Sequence, residues 1–220
     1  MIELDVQLSR DEELVVIHDF ELERTTSGRG AVRDHNLATL KSLDAGSWYS
    51  SLFAGEPLLS LGEVIGIVAG RARLNVELKG PPDDWDLLCQ QLVRLLRAKD
   101  LLDSTIISCF DPGALVAVRR RAPEARLGLL WQGTDAEPVW AWTRELSLIS
   151  FHPHWMLVTE DLVRQTHQRD LQLVTWTVNE IATMRKLLEH GVDGIISDYP
   201  DRFSEAGSRT DCLEPRRQKH

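Results

Sequence analysis

The sequence contains few cysteines and no long apolar run. Its three cysteines, Cys89, Cys109 and Cys212, form neither a CxxC pair nor an even set. This pattern gives no disulfide framework and favours a reduced, cytoplasmic setting. No apolar run approaches the ~20 residues of a membrane-spanning helix, and the N-terminus lacks the basic-then-apolar order of a signal peptide. We therefore expect no membrane insertion.

Basic residues are fewer than acidic ones. The chain carries 25 lysines and arginines against 34 aspartates and glutamates, a formal net charge of −9 at pH 7. An acidic protein has no general attraction for nucleic acid or anionic membranes, so we expect neither as a partner. An anionic small-molecule substrate would then need a local device, such as a bound metal or a few cationic side chains.

Strand and helix patterns alternate along most of the 220 residues, a length that fits one large domain. The predicted strands are Ile2–Val6, Leu74–Leu78, Thr105–Ser108, Arg126–Leu130, Leu148–Ser150, Gln172–Val178 and Gly194–Ser197. The predicted helices are Trp85–Arg97, Pro112–Arg121, Glu137–Arg144, Glu160–Gln168 and Glu180–His190. This alternation implies an α/β fold with parallel strands, either a doubly wound sheet or a (β/α)8 barrel. Seven such strands are one fewer than a closed barrel requires.

Three segments fall outside this alternation. Leu14–Asp19 is a second apolar run close behind the first strand, and the short polar stretch between them predicts a hairpin. Residues 20–60 are rich in turn residues and are interpreted as a long insertion with one short helix around Leu37–Leu43. Long insertions on barrels usually lie at the catalytic face. Residues 204–220 are polar without periodicity and are expected to form a disordered tail.

Acidic side chains alternate with apolar ones on the first predicted strand. Glu3 and Asp5 share one face of it, because successive side chains point to opposite faces. The next barrel strand repeats the arrangement with Asn75, Glu77 and Lys79, where the lysine could contact a phosphate or stabilise charge. Three carboxylates on neighbouring parallel strands would make an oxygen-rich site suited to Mg²⁺ or Ca²⁺ rather than zinc. The alternative is an exposed antiparallel strand whose polar residues face water.

The predicted hairpin brings a histidine towards these acids. A register that pairs Gln7 with Val16 would place His18 opposite Asp5, and directly opposed side chains lie ~5 Å apart. A neutral imidazole there could act as a general acid or base on a phosphate ester. The alternative is a structural histidine at the end of a strand.

Other candidate side chains end strands without a partner in the sequence. Trp176 could line the substrate pocket at the mouth of the barrel or belong to the core. Phe110 and His152 also end strands and leave the same two interpretations open.

Several motifs occur in the order typical of one enzyme family. They are IELDVQLSRDEELVVIHDFELERTTSGRG, LDAGSWYSSLFAGEPLLSL, LNVELKG, IISCFDPGAL, VTWTVNE and GVDGIISDYPDRF. Over residues 1–203 the chain resembles the glycerophosphodiester phosphodiesterases, and the DAGSWYS segment is most similar to their cytoplasmic bacterial type. Several independent motifs in order are far more specific than one short pattern.

The resemblance implies a TIM-type (β/α)8 barrel with a small insertion after the second family strand. It implies hydrolysis of glycerophosphodiesters to sn-glycerol 3-phosphate and an alcohol such as choline or ethanolamine, in glycerophospholipid metabolism. It also implies that three acids ligate a divalent metal, Mg or Ca; these are Glu3, Asp5 and Glu77. By the same resemblance His18 is one member of the acid/base pair and Lys79 binds or neutralises the phosphate. Trp176 and Phe110 are then the candidate aromatic contacts of the substrate.

One family motif is absent from the sequence. The family begins with a strand that carries His-Arg-Gly, which supplies the second catalytic histidine, and a helix opened by Glu-Asn-Thr; neither occurs here. We therefore expect an N-terminally incomplete barrel that lacks its first strand and helix. An alternative function is then an impaired or inactive remnant that binds metal or phosphodiester without turnover. A further alternative keeps the enzyme but changes the substrate to lysophospholipids or another phosphodiester, against which the lack of a membrane-binding helix counts.

Overall fold

A computed structural model describes residues 1–68 and 70–207 of the protein. The chain forms two compact units, Met1–Arg126 and a second that begins at Leu127. The elements of the first unit are β1 (Ile2–Leu8), β2 (Leu14–Val16), α1 (Leu37–Leu40), α2 (Leu61–Val68), β3 (Leu74–Leu78), α3 (Trp85–Ala98), β4 (Ile106–Cys109) and α4 (Pro112–Arg121). The elements that follow are β5 (Arg126–Trp131), α5 (Glu137–Glu145), β6 (Ser150–Pro153), α6 (Glu160–His167), β7 (Gln172–Thr175), α7 (Ile181–His190), β8 (Gly194–Ile195) and α8 (Phe203–Ala206). Within these described ranges no helix is both long and apolar enough to cross a membrane.

The first unit contains strands in the order β2-β1-β3-β4. β1, β3 and β4 are parallel, and β2 pairs antiparallel with β1 as the predicted hairpin. Every residue of β3 is buried, as is typical of a parallel strand that is covered on both faces. The register between β1 and β3 pairs Glu3 with Asn75 and Asp5 with Glu77, which places their side chains side by side.

Residues 20–60 of the first unit are held by a small core of their own. Leu22, Val32, Leu40 and Leu58 are buried there, packed with residues of the β2 strand and the loop after it. Turn residues leave room only for short helices, and α1 ends at Leu40 rather than at the predicted residue 43. The core ties this segment to the hairpin and therefore to the end of β1.

The second unit contains parallel strands in the order β5-β6-β7-β8. Its core includes Val163, Leu173, Met184 and Leu187, which come from two helices and a strand. Helix α7 ends at Gly191, whose φ of 88° lies in the left-handed region that glycine adopts without strain. The strand–helix alternation predicted from the sequence is confirmed in both units.

Three details differ from the prediction. The strand expected at residues 148–150 lies at Ser150–Pro153, because Leu148 and Ile149 still belong to the connection after α5. Helix α2 was not predicted, since its two glycines and its single charged residue mask the usual helical periodicity. The expected tail starts too early, because residues 203–206 form α8 and Ala206 is buried in the core. Residues 208–220, which include Cys212, lie outside the described part of the chain.

Candidate metal and phosphodiester site

Three carboxylates converge where β1 and β3 pair. Glu3 and Asp5 extend from one face of β1, and Glu77 extends from the neighbouring strand in register with Asp5. One oxygen from each of the three lies within 4.8 Å of the others. The parallel pairing rules out the alternative of an exposed antiparallel strand for β3. The arrangement is the one that the alternation of acidic and apolar residues predicts.

The electrostatics of this cluster call for a cation. Burial, reinforced by the charges of Asp5 and Glu77, raises the pKa of Glu3 to about 8. Burial also raises the pKa of Glu77 to about 7, against the opposing charges of Lys79 and His18. One buried oxygen of Glu3 has no hydrogen-bond partner among the described residues. An oxygen-only set with an unpartnered buried oxygen fits Mg²⁺ or Ca²⁺, which prefer such ligands.

Lys79 lies next to the acids, directly after β3. Its ammonium group contacts Glu77 and lies 3.5 Å from Asp5 Oδ1, with only 15% of the side chain exposed. Burial works to lower the pKa of Lys79, yet the charges of Glu77 and Asp5 outweigh it and the pKa is raised. The ammonium group also lies 5.6 Å from the centre of the Phe110 ring, a cation–π distance. Lys79 is therefore a permanent cation at the edge of the acidic cluster.

The predicted hairpin register is wrong by one residue. Gln7 pairs with Val15 rather than with Val16, so Ile17, not His18, is opposite Asp5, and its backbone N–H donates to the Asp5 carbonyl at 3.1 Å. The hairpin closes through the Ser9–Glu13 turn, in which Glu12 adopts a left-handed φ of 64°. The residue types at these positions do not reveal that conformation.

His18 nevertheless lies near the carboxylates. β2 ends at Val16, and His18 belongs to the loop that follows, with 62% of its side chain exposed. An electrostatic interaction with this histidine is a minor cause that lowers the pKa of Glu77, against the larger effect of burial. Its Nδ1 lies 2.6 Å from Oδ1 of Asp19, so the ring has a fixed partner in the chain. The histidine therefore lies in the loop after β2, not at the cross-strand position that was expected.

Gln7 is a further residue of the site whose role the sequence did not indicate. Its side chain is 5% exposed and extends from the same face of β1 as Asp5. Its amide Nε2 lies 3.1 Å from the carbonyl oxygens of Ile17 and His18 and 2.7 Å from that of Asp19. The one available signal was an amide on the acidic face of β1, close to the predicted hairpin. Gln7 holds the backbone that carries His18.

The aromatic candidates are anchored by polar contacts. The Trp176 indole, in the second unit, donates to the His152 carbonyl at 2.8 Å and packs against the His154 ring. His152 itself is 1% exposed and its Nε2 lies 2.7 Å from Ser150 Oγ, so its surroundings are those of a packed core residue. A substrate-binding role for Trp176 and Phe110 stays a prediction.

Known proteins with related sequences were compared with the chain. Residues 1–202 match the glycerophosphoryl diester phosphodiesterase family. A glycerophosphodiester phosphodiesterase from Caldanaerobacter subterraneus is 36% identical over 91% of this chain and 82% of its own length. A Bacillus subtilis glycerophosphodiester phosphodiesterase is 33% identical, over 92% of this chain and 74% of that protein.

Solved structures give the same result for the fold. An Oleispira antarctica phosphodiesterase in complex with the product sn-glycerol 3-phosphate superposes with a TM-score of 0.86 at 29% identity, covering 93% of this chain and 83% of the other. A Silicibacter pomeroyi structure described as a glycerophosphoryl diester phosphodiesterase gives 0.82 at 26% identity, over 93% and 81% of the two chains. The predicted α/β fold of the TIM-barrel type is confirmed. The chain therefore belongs to the glycerophosphoryl diester phosphodiesterase family.

Proposed function

We propose that the protein hydrolyses glycerophosphodiesters to sn-glycerol 3-phosphate and an alcohol. The observation that carries this proposal is the convergence of three carboxylates within 4.8 Å beside a buried lysine, in a chain of this family. Support for the glycerol phosphate part of the substrate comes from the Oleispira antarctica relative, whose structure contains that product. In the net reaction a water oxygen bonds to phosphorus, the phosphorus–oxygen bond to the alcohol breaks, and one proton moves to the leaving oxygen.

Glu3, Asp5 and Glu77 are the residues that would hold a divalent metal, Mg²⁺ or Ca²⁺. A divalent cation bound by these carboxylates would supply positive charge that stabilises the phosphate oxygens during displacement. The unpartnered buried oxygen of Glu3 and the raised pKa values of Glu3 and Glu77 support this assignment. Without a cation, the three acids repel one another in a site that is partly withdrawn from water.

Lys79 and His18 supply the remaining chemistry. Lys79 is held as a cation by Glu77 and Asp5, so it can attract the anionic phosphodiester and offset charge that develops on it. His18 can accept or donate a proton at the ring nitrogen that faces away from Asp19. Phe110, whose ring lies beside Lys79, is proposed to contact the organic part of the substrate. The substrate contact expected of Trp176 stays a prediction from the sequence.

We propose a cytoplasmic location on the evidence of the cysteines. Cys89 and Cys109 are free and buried, and burial raises the pKa of each thiol to about 12. Buried thiols of this kind are inert and suit a reducing compartment. The formal net charge of −9 supports small molecules, not nucleic acids, as partners.

The proposal is tested with the purified 220-residue chain, stripped with EDTA and then supplied with Mg²⁺ or Ca²⁺. Glycerophosphocholine is the substrate, and release of sn-glycerol 3-phosphate is the readout. We expect hydrolysis that depends on the metal and that Glu77→Gln removes, while Glu124→Gln, at an exposed ion pair with Arg97, retains it.

Calorimetry with each metal separates the outcomes of that test. Metal binding without release of sn-glycerol 3-phosphate would favour the alternative of a binding protein that does not turn over. Absence of both metal binding and hydrolysis in a folded sample would overturn the proposed function.

A further inference from the structure

We infer that Asp19, held in place by Arg24, is a positioning residue for the imidazole of His18. This inference rests on the proposed function, because it assigns His18 a proton-transfer role. Asp19 contacts the histidine ring and Arg24 contacts Asp19, so both would act through the histidine. The three side chains form one continuous chain of polar contacts in the loop that follows β2.

The geometry of the Asp19 contacts carries the inference. Oδ1 of Asp19 lies 2.6 Å from Nδ1 of His18. The Arg24 guanidinium donates Nη2–H to the same Oδ1 at 2.8 Å and Nε–H to Oδ2, a two-point contact that fixes the plane of the carboxylate. The Arg24 hydrogen bonds hold the pKa of Asp19 far below its usual range, so this carboxylate is an acceptor at any working pH.

An ionised carboxylate beside Nδ1 determines which ring nitrogen carries the proton. Nδ1 must donate to Asp19, so the neutral His18 ring has its hydrogen on Nδ1 and a lone pair on Nε2. The same carboxylate stabilises the ring after it gains a second proton. Nε2 is then the atom that exchanges a proton with water or with the leaving alcohol.

Two further contacts keep the arrangement in place. The Trp48 ring lies 5.8 Å from the Arg24 guanidinium carbon, so an aromatic side chain covers the arginine. The Gln7 amide holds the carbonyls of residues 17–19 and so fixes the backbone on which His18 and Asp19 stand. The backbone and the ring orientation of His18 are thus set by separate residues, which makes the contribution of Asp19 separable by mutation.

The first test is nuclear magnetic resonance of the full chain, labelled with ¹⁵N at histidine. The chain has seven histidines, and the His18→Gln variant assigns the signal of interest. Above the pKa of the ring we expect His18 to be protonated at Nδ1, and we expect Asp19→Asn to change the Nδ1 signal. A wild-type ring protonated at Nε2, or a signal indifferent to Asp19→Asn, would overturn the inference. The tautomer is read without any turnover.

The second test is steady-state kinetics with glycerophosphocholine and Mg²⁺. Asp19→Asn should lower kcat by about 10- to 100-fold, the range typical of removing the hydrogen-bond partner that orients a metal-ligating histidine, and should leave KM nearly unchanged. Arg24→Gln should have a smaller effect and Arg24→Lys should recover part of it, because lysine keeps the charge but not the fork. Asp161→Asn, which removes an exposed carboxylate–arginine pair from α6, is the matched control and should retain wild-type kcat.

The outcomes separate this inference from the proposed function. A wild-type chain that binds metal but does not hydrolyse the substrate would contradict the proposed function. The tautomer of His18 would still test the role of Asp19. If the wild type is active and its Asp19→Asn variant keeps full kcat, the positioning role of Asp19 is contradicted and the proposed function stands. Arg24→Gln leaves the Asp19 carboxylate in the chain but removes its two-point contact with the guanidinium, and it serves as the second variant if Asp19→Asn does not fold.

Discussion

Asp5 on β1 and Glu77 on β3 are register partners in parallel strands, so their carboxylates lie side by side and form, with Glu3, a cluster that could hold a cation. Register partners of like charge repel, and the repulsion is relieved by a positive charge between them or by protonation of one acid. Lys79 provides part of that charge from the chain itself. A bound divalent cation would provide the rest, which makes the stability of the protein dependent on metal.

Removing one carboxylate should remove the stabilisation by metal. For the wild type we expect Mg²⁺ or Ca²⁺ at 100 times its Kd to increase the free energy of unfolding by about 2.7 kcal/mol. Asp5→Asn should lose most of that gain, because one of the three ligand oxygens no longer carries charge. Thermal melts with metal and with EDTA measure the difference. An Asp5→Asn protein with the full metal-dependent rise in Tm would contradict the ligand assignment, and Glu124→Gln serves as the charge-matched control.

Glu3→Gln should stabilise the metal-free protein increasingly as the pH rises. The pKa of Glu3 is raised from 4.5 to about 8 in the folded chain, mainly by burial. The unfolded chain therefore loses the proton of Glu3 at a lower pH than the folded chain does. As the pH rises from 4.5 to about 8, the ionised carboxylate favours the unfolded chain, and the free energy of unfolding falls progressively. Each unit of that pKa shift corresponds to at most about 1.4 kcal/mol, less where water screens the group.

Urea unfolding in EDTA at several pH values gives the difference between Glu3→Gln and wild type. We expect that difference to grow in favour of the variant from pH 5 to pH 8, and to shrink or reverse once metal is added. A difference that is constant with pH in EDTA would show that Glu3 ionises normally. Glu124→Gln, whose carboxylate is exposed, should give a flat difference over the same interval.

The sequence was sufficient to predict the parallel strands and the acidic cluster because both follow from local periodicity. Polar and apolar residues alternate strictly in β1, and burial of the apolar face forces Glu3 and Asp5 to the other face. The strand pairing then brings Glu77 alongside. No information beyond the order of residues is needed for this step, which is why the site could be recognised from two short segments.

The hairpin and its contacts could not be predicted in the same way. The register of β2 depends on a five-residue turn, Ser9–Glu13, in which Glu12 has a left-handed φ. The residue types in this turn do not require that conformation. The role of Gln7 depends on three carbonyls from a loop 10 to 12 residues away. The tertiary structure brings these carbonyl acceptors to Gln7. In the sequence Gln7 is only one polar residue on a strand, so its contacts could not be predicted.

Gln7→Leu should destabilise the fold and lower turnover together. Leucine fills a similar volume but leaves the carbonyls of residues 17–19 without their donor. Loss of a buried donor costs about 1–3 kcal/mol, and freeing the backbone of His18 should reduce kcat beyond what the stability loss explains. Urea unfolding and kinetics at low temperature measure the two effects. Gln90→Leu, at an exposed position of α3, is the matched control and should change neither the free energy of unfolding nor kcat. A Gln7→Leu protein with wild-type kcat would contradict the role given to Gln7.

His152 should make the protein sensitive to mild acid. Burial lowers the pKa of this histidine from 6.5 to about 4 in the folded chain. The unfolded chain gains a proton at pH 6.5 that the folded chain accepts only near pH 4, so the contribution of His152 to stability is complete above pH 6.5 and is lost as the pH falls towards 4. The free energy of unfolding should therefore decrease by up to about 1.4 kcal/mol per pH unit across that interval on account of this one residue.

His152→Gln should flatten the pH dependence of the free energy of unfolding, whereas His35→Gln, at a partly exposed loop position, should keep the wild-type slope. Equal slopes for wild type and His152→Gln would contradict this prediction. Among the described residues, the hydrogen bond given for the His152 ring is the one with Ser150 Oγ, which offers no charge to stabilise a second proton.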